Sequence, residues 1–188
     1  MKQEWQSISA FWSDWEKRPV DPLFRLLLSS DGTTVRSVKS LFLRLPVLEV
    51  VRQEEVVMDA ATALQLEAPE GEKAVERAVW LNIEKAGGAR EKLLYAVSTL
   101  PVSRLEPALY QALQLGRQPL GQLIDEQSLP TFRDRLEVAH LPFVNVAKAL
   151  ALKEDTLFWA RRYRLSISGQ ASAIICEIFS PRLSSLLF

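Results

Sequence analysis

The clearest patterns along the chain are two pairs of β-rich stretches, each interrupted by a short turn signal. The pairs are residues 74–84 and 91–101, around Gly87-Gly88, and residues 155–168 and 171–181, around Ser168-Gly169. Runs of β-branched and aromatic residues on both sides of a glycine turn are typical of β-hairpins. We therefore expect two antiparallel hairpins, one central and one C-terminal.

Near the N-terminus the apolar residues recur at helical spacing. Trp5, Ile8, Phe11 and Trp15 are three and four residues apart, which predicts an amphipathic helix over residues 5–16. Its polar face carries acidic as well as basic side chains, which favours packing on the body of the protein over anchoring to a membrane surface. Residues 1–20 are thus predicted to form an N-terminal amphipathic helical arm.

The remaining elements are shorter. Asp21 is a good N-cap and Pro22 suits the first helical position, so residues 21–28 should form a helix. Pro46 indicates a bulge, a bend or an edge position in its strand. The other predictions are strands at 41–57 and 133–139, helices at 58–68, 105–115 and 143–152, and a loop at 117–126 that leads into a short element.

Helices and hairpins follow one another without alternating strand–helix units. This order predicts an α+β fold with a single antiparallel β-sheet and helices packed on it, and it argues against a doubly wound nucleotide-binding fold. A length of 188 residues suits one domain, taken as residues 1–188.

Charge and composition exclude several classes of function. The chain has 23 basic and 23 acidic residues, so it lacks the positive field of a nucleic-acid-binding protein. A single cysteine, Cys176, and a single histidine, His140, do not make a zinc or iron–sulfur site. We find neither a secretory signal nor an apolar run of 18 residues. We expect a cytoplasmic monomer without a metal, a cofactor or a membrane span.

Strand parity places two charges among apolar residues. Arg77 shares a strand face with Val79 and Leu81, and Glu177 shares one with Ile175 and Phe179. A buried charge must be paired or hydrogen-bonded. Two interpretations remain open at this point: Arg77 and Glu177 form an internal ion pair with each other or with other side chains, or they line a pocket for a small carboxylic acid.

Arg161 is a third charge on an otherwise apolar strand face, beside Tyr163 and Leu165. It could extend to the sheet edge or meet a second carboxylate of a ligand. Cys176 is predicted to be a small core residue, because no basic neighbour is evident that would stabilise a thiolate. No serine or cysteine nucleophile motif is evident for which His140 could act as the base.

Five stretches in order resemble the chorismate pyruvate-lyase family, which makes 4-hydroxybenzoate for quinone head groups such as those of ubiquinone and plastoquinone. The resemblance covers roughly residues 20–183 and implies a chorismate lyase-like fold. The stretches are LLLSSDGTT (26–34), ERAVWL (76–81) with YAVSTL (95–100), LGRQPLGQLI (115–124), FWARRYRLSISG (158–169) and CEIFSP (176–181).

The resemblance also implies a site. The family's arginine for the ring carboxylate falls on Arg77, and its carboxylate near the 4-hydroxyl falls on Glu177. Backbone groups that close over the ligand fall near Thr33 and at Leu120-Gly121. A basic residue on the second strand of the central hairpin is Lys92, and either Lys92 or Arg161 would meet the enolpyruvyl carboxylate.

The implied reaction is the elimination of pyruvate from chorismate, which needs no cofactor. The same fold also resembles the effector-binding domain of a group of transcription regulators, so a non-catalytic sensor of a small carboxylate is the alternative, and an inactive protein with a buried ion pair is a third. The twenty residues before the match are not basic, which favours the enzyme over a regulator with a DNA-reading module.

Overall fold

The protein is described from a computed structural model that covers residues 4–13 and 20–186. Seven strands form one sheet in which all neighbours are antiparallel. The strands are β1 (Gln6–Ser7), β2 (Val47–Val57), β3 (Lys73–Glu84), β4 (Arg90–Pro101), β5 (Thr131–Pro142), β6 (Leu157–Ile167) and β7 (Gln170–Phe179). Their order across the sheet is β1-β5-β6-β7-β4-β3-β2. The predicted α+β class and both predicted hairpins, β3–β4 and β6–β7, are confirmed.

Seven short α-helices cover the described part of the sheet. They are α1 (Ile8–Ser13), α2 (Pro22–Ser29), α3 (Thr34–Phe42), α4 (Ala60–Leu66), α5 (Pro107–Gln114), α6 (Leu120–Glu126) and α7 (Val144–Ala149). At α2 the Asp21 carboxylate accepts the Leu23 backbone N–H at 2.8 Å, so the predicted N-cap is confirmed. None of the described helices is long and apolar enough to cross a membrane.

Three element predictions need correction. Residues 41–46 are not strand, because α3 extends to Phe42, Leu43 turns in the left-handed region at φ 54°, and β2 starts after Pro46. Helix α3 was not predicted; its first turn is capped by Thr33, and its apolar side, with Val35 and Val38, is buried. Residues 120–126 form α6 rather than a loop.

The N-terminal arm is only partly described. Instead of a helix over 5–16, the structure has the two-residue strand β1 followed by α1, and residues 14–19, with Trp15, lie outside the described residues. Phe11 of α1 is buried against the core, as the packing interpretation expected.

The helices divide between the two faces of the sheet. On one face α2 and α3 bury an apolar cluster at one end, and α5 and α6 bury a second cluster at the other end. The opposite face is covered by α7 over Trp80 and Ile178, and by α4 beside Ala74. The candidate functional site lies on the first face, between its two clusters.

Candidate functional site

A cavity of about 70 Å³ lies between the sheet and the N-terminal ends of α3 and α6. Its floor consists of alternate side chains of β3, β4, β6 and β7, and its roof consists of the first residues of the two helices. Among the predicted site residues it is lined by Arg77, Glu177, Thr33, Leu120 and Gly121. Strand parity placed each of the two charges on the apolar face of its own strand, and the fold brings both faces to one cavity.

Arg77 is a buried cation without an anionic partner. It is 2% exposed, its Nη2 donates to the Gln118 backbone carbonyl at 3.1 Å, and its Nε is buried without a hydrogen bond. Among the described residues no carboxylate lies within ion-pair distance of it, and burial lowers the pKa of its guanidinium to about 10. A buried guanidinium with unused donors is suited to hold an incoming carboxylate.

Glu177 is paired with a different arginine. Arg161 Nε donates to Glu177 Oε2 at 2.5 Å, and the Thr34 hydroxyl donates to Oε1 at 2.5 Å. The other two Arg161 nitrogens donate to the Ser30 carbonyl and to the Thr34 hydroxyl, both at 2.9 Å. The internal ion pair considered from the sequence therefore exists, but as Arg161–Glu177 and not as Arg77–Glu177.

This pairing decides the charge of the cavity. Burial is the largest single effect and lowers the pKa of Arg161, but the charge and the hydrogen bond of Glu177, together with contributions from Tyr163 and Asp31, outweigh it and the pKa is raised. Arg161 is 1% exposed and does not line the cavity; it lies opposite Glu177 on the neighbouring strand β6 and neutralises it from there. Each of its three nitrogens already donates a hydrogen bond within the protein, and the side chain does not line the cavity, so it is not placed to hold a second ligand carboxylate.

The roof is closed by contacts between α3 and α6. The Thr33 hydroxyl donates to Asp125 Oδ2 at 2.9 Å, and Arg36 Nη2 donates to Asp125 Oδ1 at 2.9 Å. At the start of α6, a Cβ on Gly121 would lie 3.1 Å from Thr33 Cβ. The absence of a side chain at Gly121 therefore permits the close approach of the two helices over the cavity.

We predict that Gly121→Ala opens the roof. The added methyl group must displace Thr33, since 3.1 Å is shorter than an ordinary carbon contact. Overpacking of this kind costs about 1–3 kcal/mol. Because a bound ligand needs the closed roof, this cost falls on the bound state, and ligand affinity should fall about 5- to 150-fold. Titration of the variant with 4-hydroxybenzoate, the product that the family resemblance implies, measures the affinity, with Gln122→Ala on the next residue as the control. Unchanged affinity in Gly121→Ala would show that the contact does not shape the cavity.

Lys92 does not belong to the cavity lining. A register shift in the β3–β4 pair between Leu81 and Asn82 places Lys92 opposite Asn82, and its Nζ lies 4.8 Å from the centre of the Trp80 ring. Trp80 points to the sheet face away from the cavity. A shift of one residue turns a side chain to the other face, so this structure does not bring Lys92 to the other predicted site residues.

Two cavity residues were not singled out as ligand contacts by the sequence analysis. Arg133 of β5 lines the cavity, and its guanidinium lies 5.1 Å from the centre of the Tyr163 ring. Tyr163 is buried, which together with the charge of Glu177 raises the pKa of its hydroxyl to about 12. Arg133 lies opposite Leu165 in the β5–β6 pair, which places it on the cavity face of the sheet. This pairing cannot be predicted from the sequence of β5 alone.

Cys176 lies outside the cavity. Cys176 packs with the cluster on the face away from the cavity, and burial, followed by the nearby charge of Glu177, raises the pKa of its thiol to about 12. It is thus a packing residue rather than a nucleophile. Across residues 4–13 and 20–186, no three His, Cys, Asp or Glu side chains are grouped as metal ligands.

Solved structures share the fold at low sequence identity. The effector domain of PhnF from Mycobacterium smegmatis superposes with a TM-score of 0.61 at 16% identity, covering 80% of this chain and 89% of that one. The ligand-binding domain of a putative GntR-family transcriptional regulator from Bordetella bronchiseptica superposes with a TM-score of 0.59 at 14% identity, covering 72% and 86%. These likenesses concern the fold alone.

Sequence comparison gives the family. Proteins named chorismate pyruvate-lyase from Mycobacterium tuberculosis and Mycobacterium bovis are 26% identical to this chain over 179 residues, which is 90% of this chain and 85% of theirs. The sequence model of the family described as chorismate pyruvate-lyase Rv2949c-like matches residues 28–187. That match spans both hairpins, the cavity floor and both helices of the roof, and the chain belongs to the Rv2949c-like chorismate pyruvate-lyase family.

Proposed function

We propose that the protein eliminates pyruvate from chorismate to give 4-hydroxybenzoate. The observation that carries the proposal is a buried arginine, Arg77, that has no anionic partner among the described residues and lines the same cavity as Glu177. Family membership suggests the chemistry, and the cavity offers a cation and a carboxylate that the reaction could use. We further propose that the reaction takes place in the cytoplasm and supplies quinone head groups.

Arg77 would hold the ring carboxylate. Its Nε and its remaining N–H groups can form a bidentate contact that fixes the position of the ring. The first N–H groups of a helix have no acceptor within the helix, so the backbone amides of Leu120 and Gly121 would donate to the same end of the ligand. Thr33 would close the roof above them. Such positioning can supply a large part of the rate enhancement of an intramolecular reaction.

Glu177 would accept a hydrogen bond from the 4-hydroxyl group. Its Oε atoms are fixed by Arg161 and Thr34, so the carboxylate is oriented before the substrate arrives. During elimination the C4–H bond breaks, its electron pair completes the aromatic ring, and the C3–O bond breaks toward the enolpyruvyl oxygen. The proton from C4 ends on the enolpyruvyl methylene carbon and gives pyruvate.

The test is direct. Purified protein is incubated with chorismate, and 4-hydroxybenzoate and pyruvate are quantified against a reaction without enzyme. Equimolar formation of both products above the uncatalysed rate supports the proposal. Binding of chorismate without acceleration would contradict it.

A non-catalytic sensor of a small carboxylate is the second candidate. The observation that favours it is the fold, which this chain shares with ligand-binding domains of transcription regulators. A sensor would bind 4-hydroxybenzoate or another aromatic acid tightly and leave chorismate unchanged. The same assay, combined with a thermal melt in the presence of each acid, separates the two candidates.

We predict that chelators leave the activity intact. The proposed steps use only a guanidinium, a carboxylate and backbone amides, so no divalent ion has a role in them. Activity is measured before and after exhaustive dialysis against EDTA, with and without added Mg²⁺ or Zn²⁺. Loss of turnover that a divalent ion restores would show that the proposed mechanism is wrong.

A further inference from the structure

The charged groups around the cavity do not balance. Arg77, Arg133 and Glu177 are the charged residues that line it. Glu177 is already neutralised by Arg161, its cross-strand neighbour on β6. The cavity therefore presents two positive charges, whereas the 4-hydroxybenzoate product carries a single carboxylate.

Arg133 resembles Arg77 in how its donors are used. Its Nη1 donates to the backbone carbonyl of Asp31, and its Nε is buried without a hydrogen-bond partner. No described carboxylate lies within ion-pair distance of it, although its neighbour Asp134 on β5 forms an ion pair with Arg164. Successive side chains of a strand point to opposite faces, so the Asp134 carboxylate is directed away from Arg133. A guanidinium whose buried Nε has no partner retains a donor for a ligand.

The two arginines approach the cavity from opposite sides. Arg133 lies on β5 and Arg77 on β3, with β6, β7 and β4 between them. Four spacings between neighbouring strands amount to about 19 Å between the backbones, and both side chains extend into the cavity from there. The Arg133 guanidinium makes a cation–π contact with the Tyr163 ring on the intervening strand β6.

We propose that Arg133 binds the second carboxylate of the substrate, the one on the enolpyruvyl group. This inference rests on the proposed function, since chorismate is a dianion whose two carboxylates lie at different ends of the molecule. Arg77 holds the carboxylate that stays with the ring, and Arg133 holds the carboxylate that leaves with pyruvate. Arg133 therefore contributes to binding of the substrate but not of the aromatic product, and the assignment to Lys92 or Arg161 is replaced.

The test compares the two ligands in Arg133→Gln. Loss of a charge-assisted contact should lower kcat/KM for chorismate about 10- to 100-fold, while the dissociation constant of 4-hydroxybenzoate stays within about twofold of the wild type. Arg133→Lys keeps the positive charge but loses the two-pronged guanidinium, so its kcat/KM for chorismate should lie between those of the wild type and Arg133→Gln. Arg135→Gln, an exposed arginine of the same strand, is the control.

Two results would overturn the proposal. If Arg133→Gln weakens chorismate and 4-hydroxybenzoate equally, Arg133 only supports the loop at Asp31, and if it weakens neither, it contacts no ligand. Where the wild type binds chorismate but does not turn it over, the proposed function fails, and the dissociation constants of chorismate and 4-hydroxybenzoate still decide Arg133 by the same comparison. A wild type that does not bind chorismate overturns both.

Discussion

Arg77→Met is expected to abolish most of the ligand binding while leaving the fold stable. Loss of the two charge-assisted hydrogen bonds proposed to the ring carboxylate should lower kcat/KM for chorismate about 100-fold or more. Product at a hundred times its dissociation constant should stabilise the wild type by about 2.7 kcal/mol, and the variant should lose most of that increment. Thermal melts with and without 4-hydroxybenzoate measure it.

The stability of the variant without ligand is the discriminating readout. Burial lowers the pKa of Arg77 to about 10, so at pH 7 the charged side chain carries a desolvation cost that its single backbone contact does not fully offset. Methionine removes this cost, and the free energy of unfolding should not fall by more than about 1 kcal/mol. A variant that is strongly destabilised yet keeps the full ligand-induced shift would show that Arg77 is structural. Arg162→Met, in a half-exposed ion pair with Glu137, is the control.

Arg161→Met, unlike Arg77→Met, is expected to destabilise the fold strongly. It leaves the Glu177 carboxylate buried without its cation, and breaking a buried ion pair costs about 3–5 kcal/mol. The double variant Arg161→Met with Glu177→Leu removes both charges and should recover most of that loss, because apolar replacement of a whole buried pair is often neutral or stabilising. It should remain inactive, since the proposed contact to the 4-hydroxyl is gone.

Urea unfolding followed by tryptophan fluorescence measures these free energies. The exposed pair Arg162–Glu137 is the matched control, and Arg162→Met should cost less than about 1 kcal/mol. A double variant no more stable than Arg161→Met alone would contradict the assignment of Arg161 as the cation that neutralises Glu177. So would a single variant that unfolds at the wild-type urea concentration.

Much of the site could be predicted from local patterns. Alternation in β3 placed Arg77 with Val79 and Leu81, and all three line the cavity. Alternation in β7 placed Glu177 with Ile175, and both line it too. The side-chain period of a strand is set by its own backbone, so these assignments needed no knowledge of neighbouring strands. The family resemblance added Thr33, Leu120 and Gly121, which lie in the roof.

Contacts between strands could not be predicted in the same way, because they depend on register. In the β6–β7 hairpin a two-residue turn at Ser168-Gly169 pairs Ile167 with Gln170. Without the irregularity at Leu165/Ser166, Arg161 would lie opposite Cys176 on the wrong face. The shift puts Arg161 opposite Glu177 instead and creates the buried pair.

The sequence by itself determined the two hairpins, the antiparallel class and the faces on which Arg77 and Glu177 lie, because turn residues and side-chain alternation act over a few neighbouring residues. Only the tertiary structure decided which arginine neutralises Glu177, that Lys92 faces Trp80, and that Arg133 reaches the cavity from β5. Those outcomes depend on bulges and on pairing between strands far apart in the chain. One shifted residue there exchanges the faces of a strand.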